Sequence, residues 1–498
     1  MCKISKIRSR RSWPSLRIVL LLAGLLTVSG VAKEKSKMNV LVFFMDDLRP
    51  ELGCYGETYI QTPQMDRLAS EGVLFERAYC QQAICGPSRI SMLAGKYPDR
   101  LGIQDLWTPL RKSIPDAMSL PRYFKEAGYR TLSFGKVYHH QGDDKEYWTE
   151  LPDRPGQKYA DPEVLESIRM RSEEADKLGM STREKFSYTA GPPTEIAEVE
   201  DEVYQDGAVA EQAIEALGRY KEEPFFMCVG FSKPHLPFAA PKTYWDLYER
   251  EQFEVPERTL PVDAPDIAFT NWGELRAYQG MPGDGFLSDE QTRELRHGYA
   301  ASVSFADAQL GKVMAELDRI GLRENTIVVM WGDHGYKLGD HGQWCKHTNF
   351  ELDTRVPFIV SAPGFAKGER SRALVEMIDI FPTLVDLTGG EVPSVLDGQS
   401  LGPVLRDPSA SFRPFAISEY RRGKVIGYTL RNARWRYTEW INTETKRVLA
   451  KELYDHEETQ LSRVNLVDRG EYAKLVSKLS TQLDSLGRLE VVPLRKRQ

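Results

Sequence analysis

The sharpest chemical feature of this chain is Cys85-Gly86-Pro87-Ser88-Arg89, continuing into Ile90-Ser91-Met92-Leu93-Ala94-Gly95. Pro87 suits the opening turn of a helix, where its missing N–H costs nothing. Cys85 then sits at a helix N-terminus, where unpaired backbone N–H groups and the helix dipole favour an anion. A cysteine in that position serves packing more often than catalysis, so the reading depends on its company. Three apolar runs supply it. Residues 39–45 end at Asp46-Asp47, residues 326–331 end at Gly332-Asp333-His334, and residues 224–230 lead to Ser232-Lys233-Pro234-His235.

Runs this continuously apolar are buried on both faces, as in a parallel sheet covered by helices. Open α/β sheets bind ligands at the carboxyl ends of their strands, and all three polar clusters fall at that end. Ser288-Asp289-Glu290-Gln291 reads as a capping box opening a long helix that ends near Gly321. Residues 208–220 form another helix with an apolar stripe. Residues 141–200 are polar and rich in Pro and Gly, which predicts loops and short helices around the mouth of a site. The acidic run 195–206 reads as a solvated face. After about residue 405, stretches 415–418, 425–430 and 435–438 alternate like antiparallel strands. A helix follows at 471–486. The predicted organisation is an α/β domain over residues 33–405, with a large mixed, mostly parallel sheet, and a small antiparallel α+β subdomain over 406–498. No internal repeat is present.

The net charge of −6 hides an asymmetry. Residues 1–32 hold six basic residues and no acid, so the remainder carries −12. A body that acidic is a poor nucleic-acid binder, because phosphate binding needs a basic face. The basic stretch precedes an apolar run, residues 18–28, too short to span a bilayer. Gly30-Val31-Ala32 then offers small residues before Lys33, the order of an export signal cleaved near Ala32. The chain is therefore expected outside the cytoplasm, periplasmic or secreted, with no stable membrane insertion. Cys54, Cys80, Cys85, Cys228 and Cys345 remain after cleavage, an odd number without framework spacing. At least one thiol in such a protein needs a purpose other than a disulfide.

Cys-x-Pro-Ser-Arg followed by a Gly six residues beyond the Arg resembles the signature of the type I sulfatases. Ala94 is a departure, since that family commonly has Thr there. The likeness extends through Asp46-Asp47-Leu48-Arg49-Pro50, Gly53-Cys54-Tyr55-Gly56, Gly135-Lys136-Val137-Tyr138-His139, Lys233-Pro234-His235-Leu236-Pro237-Phe238 and Asp333 to Gly342 with Trp344-Cys345-Lys346. These stretches are similar to the iduronate-2-sulfatase branch. His334 is typical of it, where most sulfatases have Asn. The resemblance covers nearly all of residues 38–365 and reaches weakly into the C-terminal part at Glu452-Leu453-Tyr454-Asp455.

That resemblance implies an alkaline-phosphatase-like fold and a sulfuric ester hydrolase acting on a sulfated sugar. It implies that a maturation enzyme converts Cys85 to formylglycine, and that Asp46, Asp47, Cys85, Asp333 and His334 hold a calcium ion. Calcium prefers oxygen ligands, which makes His334 the least comfortable member of that set. Arg89, Lys136 and Lys346 would stabilise charge on the transferring group. His235, with Lys346, would protonate the departing sugar oxygen, and His139 would act as base for sulfate release. An acidic body with cations concentrated at one pocket argues for capture of one terminal sugar. Trp107, Asp105, Arg100 and Trp344 are candidates for the sugar subsite or for packing, and His297 and His456 read as structural. Three alternatives stay open: a phosphonate or phosphate ester hydrolase on the same fold, a sulfatase of an algal polysaccharide, and a glycan-binding protein on a catalytically dead sulfatase fold.

Overall fold

The structure is a computed structural model that describes residues 37–139, 143–151 and 155–486. The leader expected over residues 1–32 lies outside the described residues. The main sheet is built from β1 (Asn39–Met45), β2 (Val73–Tyr79), β3 (Arg130–Gly135), β4 (Phe225–Phe231), β5 (Thr326–Gly332), β6 (Arg355–Val356), β7 (Phe358–Ser361) and β8 (Glu369–Glu376). Its order is β6-β2-β7-β5-β1-β4-β3, with β8 added to β2. The β6 and β7 stretches lie either side of Pro357 and run antiparallel to their neighbours. Every other pairing in the sheet is parallel. The mixed, mostly parallel sheet expected from the apolar runs is therefore present.

The covering helices are α1 (Pro63–Ser70), α2 (Cys85–Ala94), α3 (Leu120–Glu126), α4 (Gln205–Tyr220), α5 (Asp289–Arg319) and α6 (Ile380–Leu387). Alternation along the central strands divides the interior in two. Leu41, Phe43 and Met45 point to one core, shared with Val209 and Leu217 of α4 and Tyr299 and Leu310 of α5. Val40, Val42 and Phe44 point to the other, shared with Ile90 and Leu93 of α2, Phe124 of α3 and Phe381 of α6. Ser288 caps α5 through the reciprocal pair read from the sequence, with Gln291 N donating to Ser288 Oγ at 3.1 Å and Ser288 N donating to Gln291 Oε1 at 3.2 Å. Among the described residues no helix is long and apolar enough to cross a membrane.

Strands β1 to β5 end at one edge, so Asp46, Cys85, Lys136, His235 and Asp333 all follow strands that stop there. Because β6 runs the other way, the segment that feeds it, including Lys346, arrives at the same edge. Gly135 (φ 67°) and Gly230 keep the ends of β3 and β4 in close approach. A Cβ on Gly230 would collide with the Lys136 carbonyl, and one on Gly135 with the Gly230 carbonyl.

Two stretches differ from expectation. The 141–200 segment contains, beside the expected short helix at Thr182–Thr189, a 16-residue helix at Pro162–Lys177, each started by a side-chain cap from Ser181 or Asp161. Asp206, at the end of the acidic run, is buried rather than solvated and accepts hydrogen bonds from Ser232 N at 2.8 Å and Lys233 N at 2.7 Å. It thereby fixes the turn that carries His235.

A second sheet, β9 (Ala416–Arg422), β10 (Val425–Arg431), β11 (Trp435–Asn442) and β12 (Val448–Asp455), is antiparallel throughout. Helix α7 (Ala473–Asp484) packs on one face through Leu479 and Leu483. The other face meets the main body through Glu351, which accepts from Arg431 Nε at 2.8 Å, Arg436 Nη2 at 2.6 Å and the Tyr79 hydroxyl at 2.9 Å. Burial pushes the Glu351 carboxyl up, but Arg431, Arg436 and His456 outweigh it and hold it well below its ordinary range. Replacing Glu351 with Gln leaves two buried guanidiniums under-compensated. A loss of about 3 kcal/mol in urea unfolding is expected. Because the carboxyl is depressed in the folded state, that contribution is present above about pH 4 and fades as the pH falls further.

Candidate active site

Cys85 opens α2 and is 3% exposed. Its Sγ lies 3.2 Å from Nε2 of His334, whose Nδ1 donates to Gly335 O at 3.0 Å. The carbonyl fixes the ring's tautomer, so Nε2 faces the cluster with its lone pair. One ligand atom each from Asp46, Cys85, Asp333 and His334 lies within 4.8 Å of the others, and a second such group joins Asp47, Cys85 and His235. The five residues expected to hold a metal are therefore brought together.

Every expected cation reaches this edge already paired. Arg89 donates from Nε to Asp333 Oδ2 at 2.8 Å, and its Nη2 is 3.5 Å from Asp46 Oδ1. Lys136 pairs with Asp46 Oδ2. Lys346 donates to Asp47 Oδ2 at 3.0 Å. Its other carboxylate partner is one that sequence reasoning missed. Glu274, on a short helix at Gly273–Arg276, places Oε2 at 2.8 Å from Lys346 Nζ and Oε1 at 2.9 Å from His235 Nε2. His347 was missed as well. Its Nε2 is 3.7 Å from Glu274 Oε2, and its Nδ1 is 2.9 Å from the Tyr420 hydroxyl on β9. No spacing rule marks Glu274 or Tyr420, because only the tertiary fold brings them to the site.

Four carboxylates (Asp46, Asp47, Asp333, Glu274) thus face three permanent cations (Arg89, Lys136, Lys346). Leaving the imidazoles aside, the four carboxylates and three cations sum to a formal −1. The three cations expected at one pocket are gathered there, each paired with a carboxylate. Burial raises the Asp46 carboxyl, yet Lys136, His235 and Arg89 outweigh it and hold it well below its ordinary range. Burial drives Asp333 the other way, with the Asp46 charge adding and His334 and Arg89 opposing. Asp46 Oδ1 and Asp47 Oδ1 are buried and accept no hydrogen bond. Buried oxygens rarely stay so, and these two lie where the ligand groups converge. The donor set, carboxylate oxygens with one imidazole nitrogen, fits a divalent cation.

The backbone here is held in sparsely populated conformations. Asp47 (φ 62°), Cys345 (φ 65°) and His347 (φ 84°) are all left-handed without being glycine. Such residues cost roughly 1–3 kcal/mol each and cluster at functional sites. The last two flank Lys346 and aim it. His139 belongs to neither ligand group; its ring packs edge-on against Trp107, centroids 6.4 Å apart, and Trp107 is 50% exposed. Trp344 is buried core, and so is His297, which packs among Trp245 and Phe253. None of the five cysteines among the described residues is in a disulfide.

The family model named Sulfatase matches residues 38–390, well over half of the chain. The chain belongs to the sulfatase family. A second model, the N-sulphoglucosamine sulphohydrolase C-terminal region, matches residues 339–488 of this sulfatase. Iduronate 2-sulfatase of Mus musculus is 31% identical over a 554-residue alignment that covers 94% of this chain and 98% of the mouse protein. That places the sulfatase in the iduronate-2-sulfatase-like branch and makes it a sulfuric ester hydrolase. Two solved structures share its alkaline-phosphatase-like fold. Phosphonate monoester hydrolase from Silicibacter pomeroyi superposes with a TM-score of 0.72 at 23% identity, covering 92% of this chain and 96% of that one. A chain in complex with D-glucosamine-2-N,6-O-disulfate gives 0.71 at 22% identity, covering 93% of this chain and all of that one.

As a plain thiol, Cys85 is poorly set up to attack. Burial pushes it well above its ordinary value and the Asp46 charge adds to this, more than Lys136 and Lys346 offset. Unconverted Cys85 should therefore resist iodoacetamide at pH 8 in the folded protein and react only on unfolding. Peptide mapping of the alkylated protein checks this, and fast labelling of the folded form would contradict it.

Proposed function

We propose that this sulfatase hydrolyses a sulfate ester on a sulfated sugar of the iduronate 2-sulfate type, from glycosaminoglycan or other sulfated polysaccharide fragments. The observation that carries the proposal is Cys85, inside the Cys85–Arg89 signature, with its sulfur 3.2 Å from His334 Nε2 among buried carboxylates and cations. Formylglycine at position 85, made by a maturation enzyme, supplies a hydrated aldehyde with one hydroxyl to attack sulfur and another through which sulfate is expelled. A calcium ion held by Asp46, Asp47, position 85, Asp333 and His334 supplies Lewis-acid stabilisation of negative oxygen.

The chain's own residues do the rest. Arg89 and Lys136 hold Asp46 and Asp333 in place and present positive charge beside the attacking group. Lys346, held between Asp47 and Glu274, donates to the oxygen that departs with the sugar. His235 stands beside it as the second proton-donating group. His139 serves as the base on the other side, removing a proton as sulfate leaves. The half-exposed Trp107 beside His139 offers the incoming sugar an aromatic face. In the same reading, residues 1–32 form an export leader cleaved near Ala32, residues 33–405 the catalytic domain, and residues 406–498 the C-terminal subdomain. The mature enzyme works in the periplasm or outside the cell.

The fold shared with a phosphonate monoester hydrolase keeps a second reading alive on the same residues. Mass spectrometry of the Cys85 peptide from a maturation-competent host is expected to show an aldehyde in place of the thiol. Sulfate release from defined oligosaccharides is expected to favour a uronic acid 2-sulfate, and aryl sulfate turnover to exceed aryl phosphonate turnover. An intact thiol in an active enzyme would overturn the nucleophile. Release from fucose or galactose sulfates alone would overturn the sugar while leaving the class. Adding a chelator should abolish turnover, and Asp47→Asn should weaken calcium binding by calorimetry at least about 10-fold, no less than the loss of an outer-shell partner would.

A further inference from the structure

Glu274 stands out because it is a fourth acid at this edge and is neither a metal-ligand candidate nor a proton donor in the chemistry above. Its side chain is 14% exposed, and it belongs to a short helix outside the motif stretches read from the sequence. One carboxylate here touches three basic groups. Oε1 lies 2.9 Å from His235 Nε2 and 3.1 Å from Lys346 Nζ, while Oε2 lies 2.8 Å from Lys346 Nζ and 3.7 Å from His347 Nε2. Lys346 in turn contacts Asp47 at 3.0 Å, so Glu274 and Asp47 hold the ammonium from two sides. His235 is held at its far nitrogen by Leu236 O at 2.6 Å. Behind Glu274 stands a support from the second sheet, since His347 is fixed by the Tyr420 hydroxyl at 2.9 Å.

We infer that Glu274 is a positioning residue that locks His235 and Lys346 together on the leaving-oxygen side of the site. This rests on the sulfatase reading. When the sulfur–oxygen bond to the sugar breaks, its electron pair stays on the sugar oxygen and the sulfuryl group passes to the nucleophile. The sugar oxygen then takes one proton from the His235–Lys346 pair. A long lysine loses much of its rotamer freedom when it is fixed, and a planar carboxylate gripping both donors meets that cost before substrate arrives. Without Glu274, both donors still exist but their spacing is no longer set.

The consequence depends on the leaving group. A sugar alkoxide is a poor leaving group and needs a placed proton; an activated phenolate such as 4-nitrophenolate needs almost none. The test is steady-state kinetics of the mature, metal-loaded enzyme and its Glu274→Gln and Glu274→Asp variants, on a sulfated disaccharide and on aryl sulfates of graded phenol acidity. For Glu274→Gln, kcat on the disaccharide should fall by about 10²-fold and kcat on 4-nitrophenyl sulfate by less than about 3-fold, with KM little changed. Glu274→Asp should recover part of the disaccharide rate, and thermal unfolding should match the parent. An equal loss across all substrates, a gain in rate, no loss on the disaccharide, or failure of both variants to fold would overturn the proposal. If the parent enzyme itself turned over no sulfate ester, the sulfatase reading would fail instead, and the two failures are distinct.

Discussion

Buried charge must be balanced where it stands, and this constraint organises the whole edge of the main sheet. Moving a carboxylate out of water costs several kcal/mol even after relaxation. An ion pair at about 3 Å returns on the order of 5 kcal/mol at an effective dielectric near 20. The Arg89–Asp333, Lys136–Asp46 and Lys346–Asp47 pairs therefore offset a large part of the cost of burying both their members. The fourth carboxylate has no cation of its own and shares Lys346. The resulting formal −1, together with two orphaned oxygens on Asp46 and Asp47, makes the cluster a host for a divalent cation. A divalent ion moves the local charge to +1. An acidic protein then acquires one small region that attracts a sulfate, while salt screens the rest of its surface beyond about 10 Å.

Holding charges this close needs a stiff frame. Four strands in parallel array, buried on both faces, supply it, and the polar residues follow directly from their ends. The left-handed residues on either side of Lys346 show where the frame imposes conformation on the site. The second sheet adds another constraint. It is bound to the main body by the Glu351 network and reaches the pocket through Tyr420 on its outermost strand, so the C-terminal part is a wall of the site and not an appendage.

Most of this was legible in the sequence because it is local. Apolar runs ending in acids mark strand termini, Ser288 and Gln291 mark a helix start, and Cys85 to Arg89 lie within one and a half helical turns. Asp46, Asp47, Asp333 and His334 were readable because each directly follows a run whose burial is obvious. Glu274, His347 and Tyr420 were not. Glu274 lies in a loop-rich stretch with no period, and its importance depends on Lys346, 72 residues away. Asp206 looked like one more member of an acidic run, and only the turn at Ser232 and Lys233 distinguishes it. The long helix at Pro162–Lys177 was hidden by a polar surface: Ala175 is its one buried residue. The pairing of every cation was also invisible, since a count of charges gives no distances.

The charge constraint is tested most directly by calorimetric titration of inorganic sulfate into the mature enzyme, with a bound divalent cation and after its removal. Swinging the pocket from −1 to +1 predicts that sulfate binds at least about 10-fold more tightly to the loaded protein. Equal affinity in the two states would contradict the account, because it would mean that the lysines and the arginine capture the anion unaided.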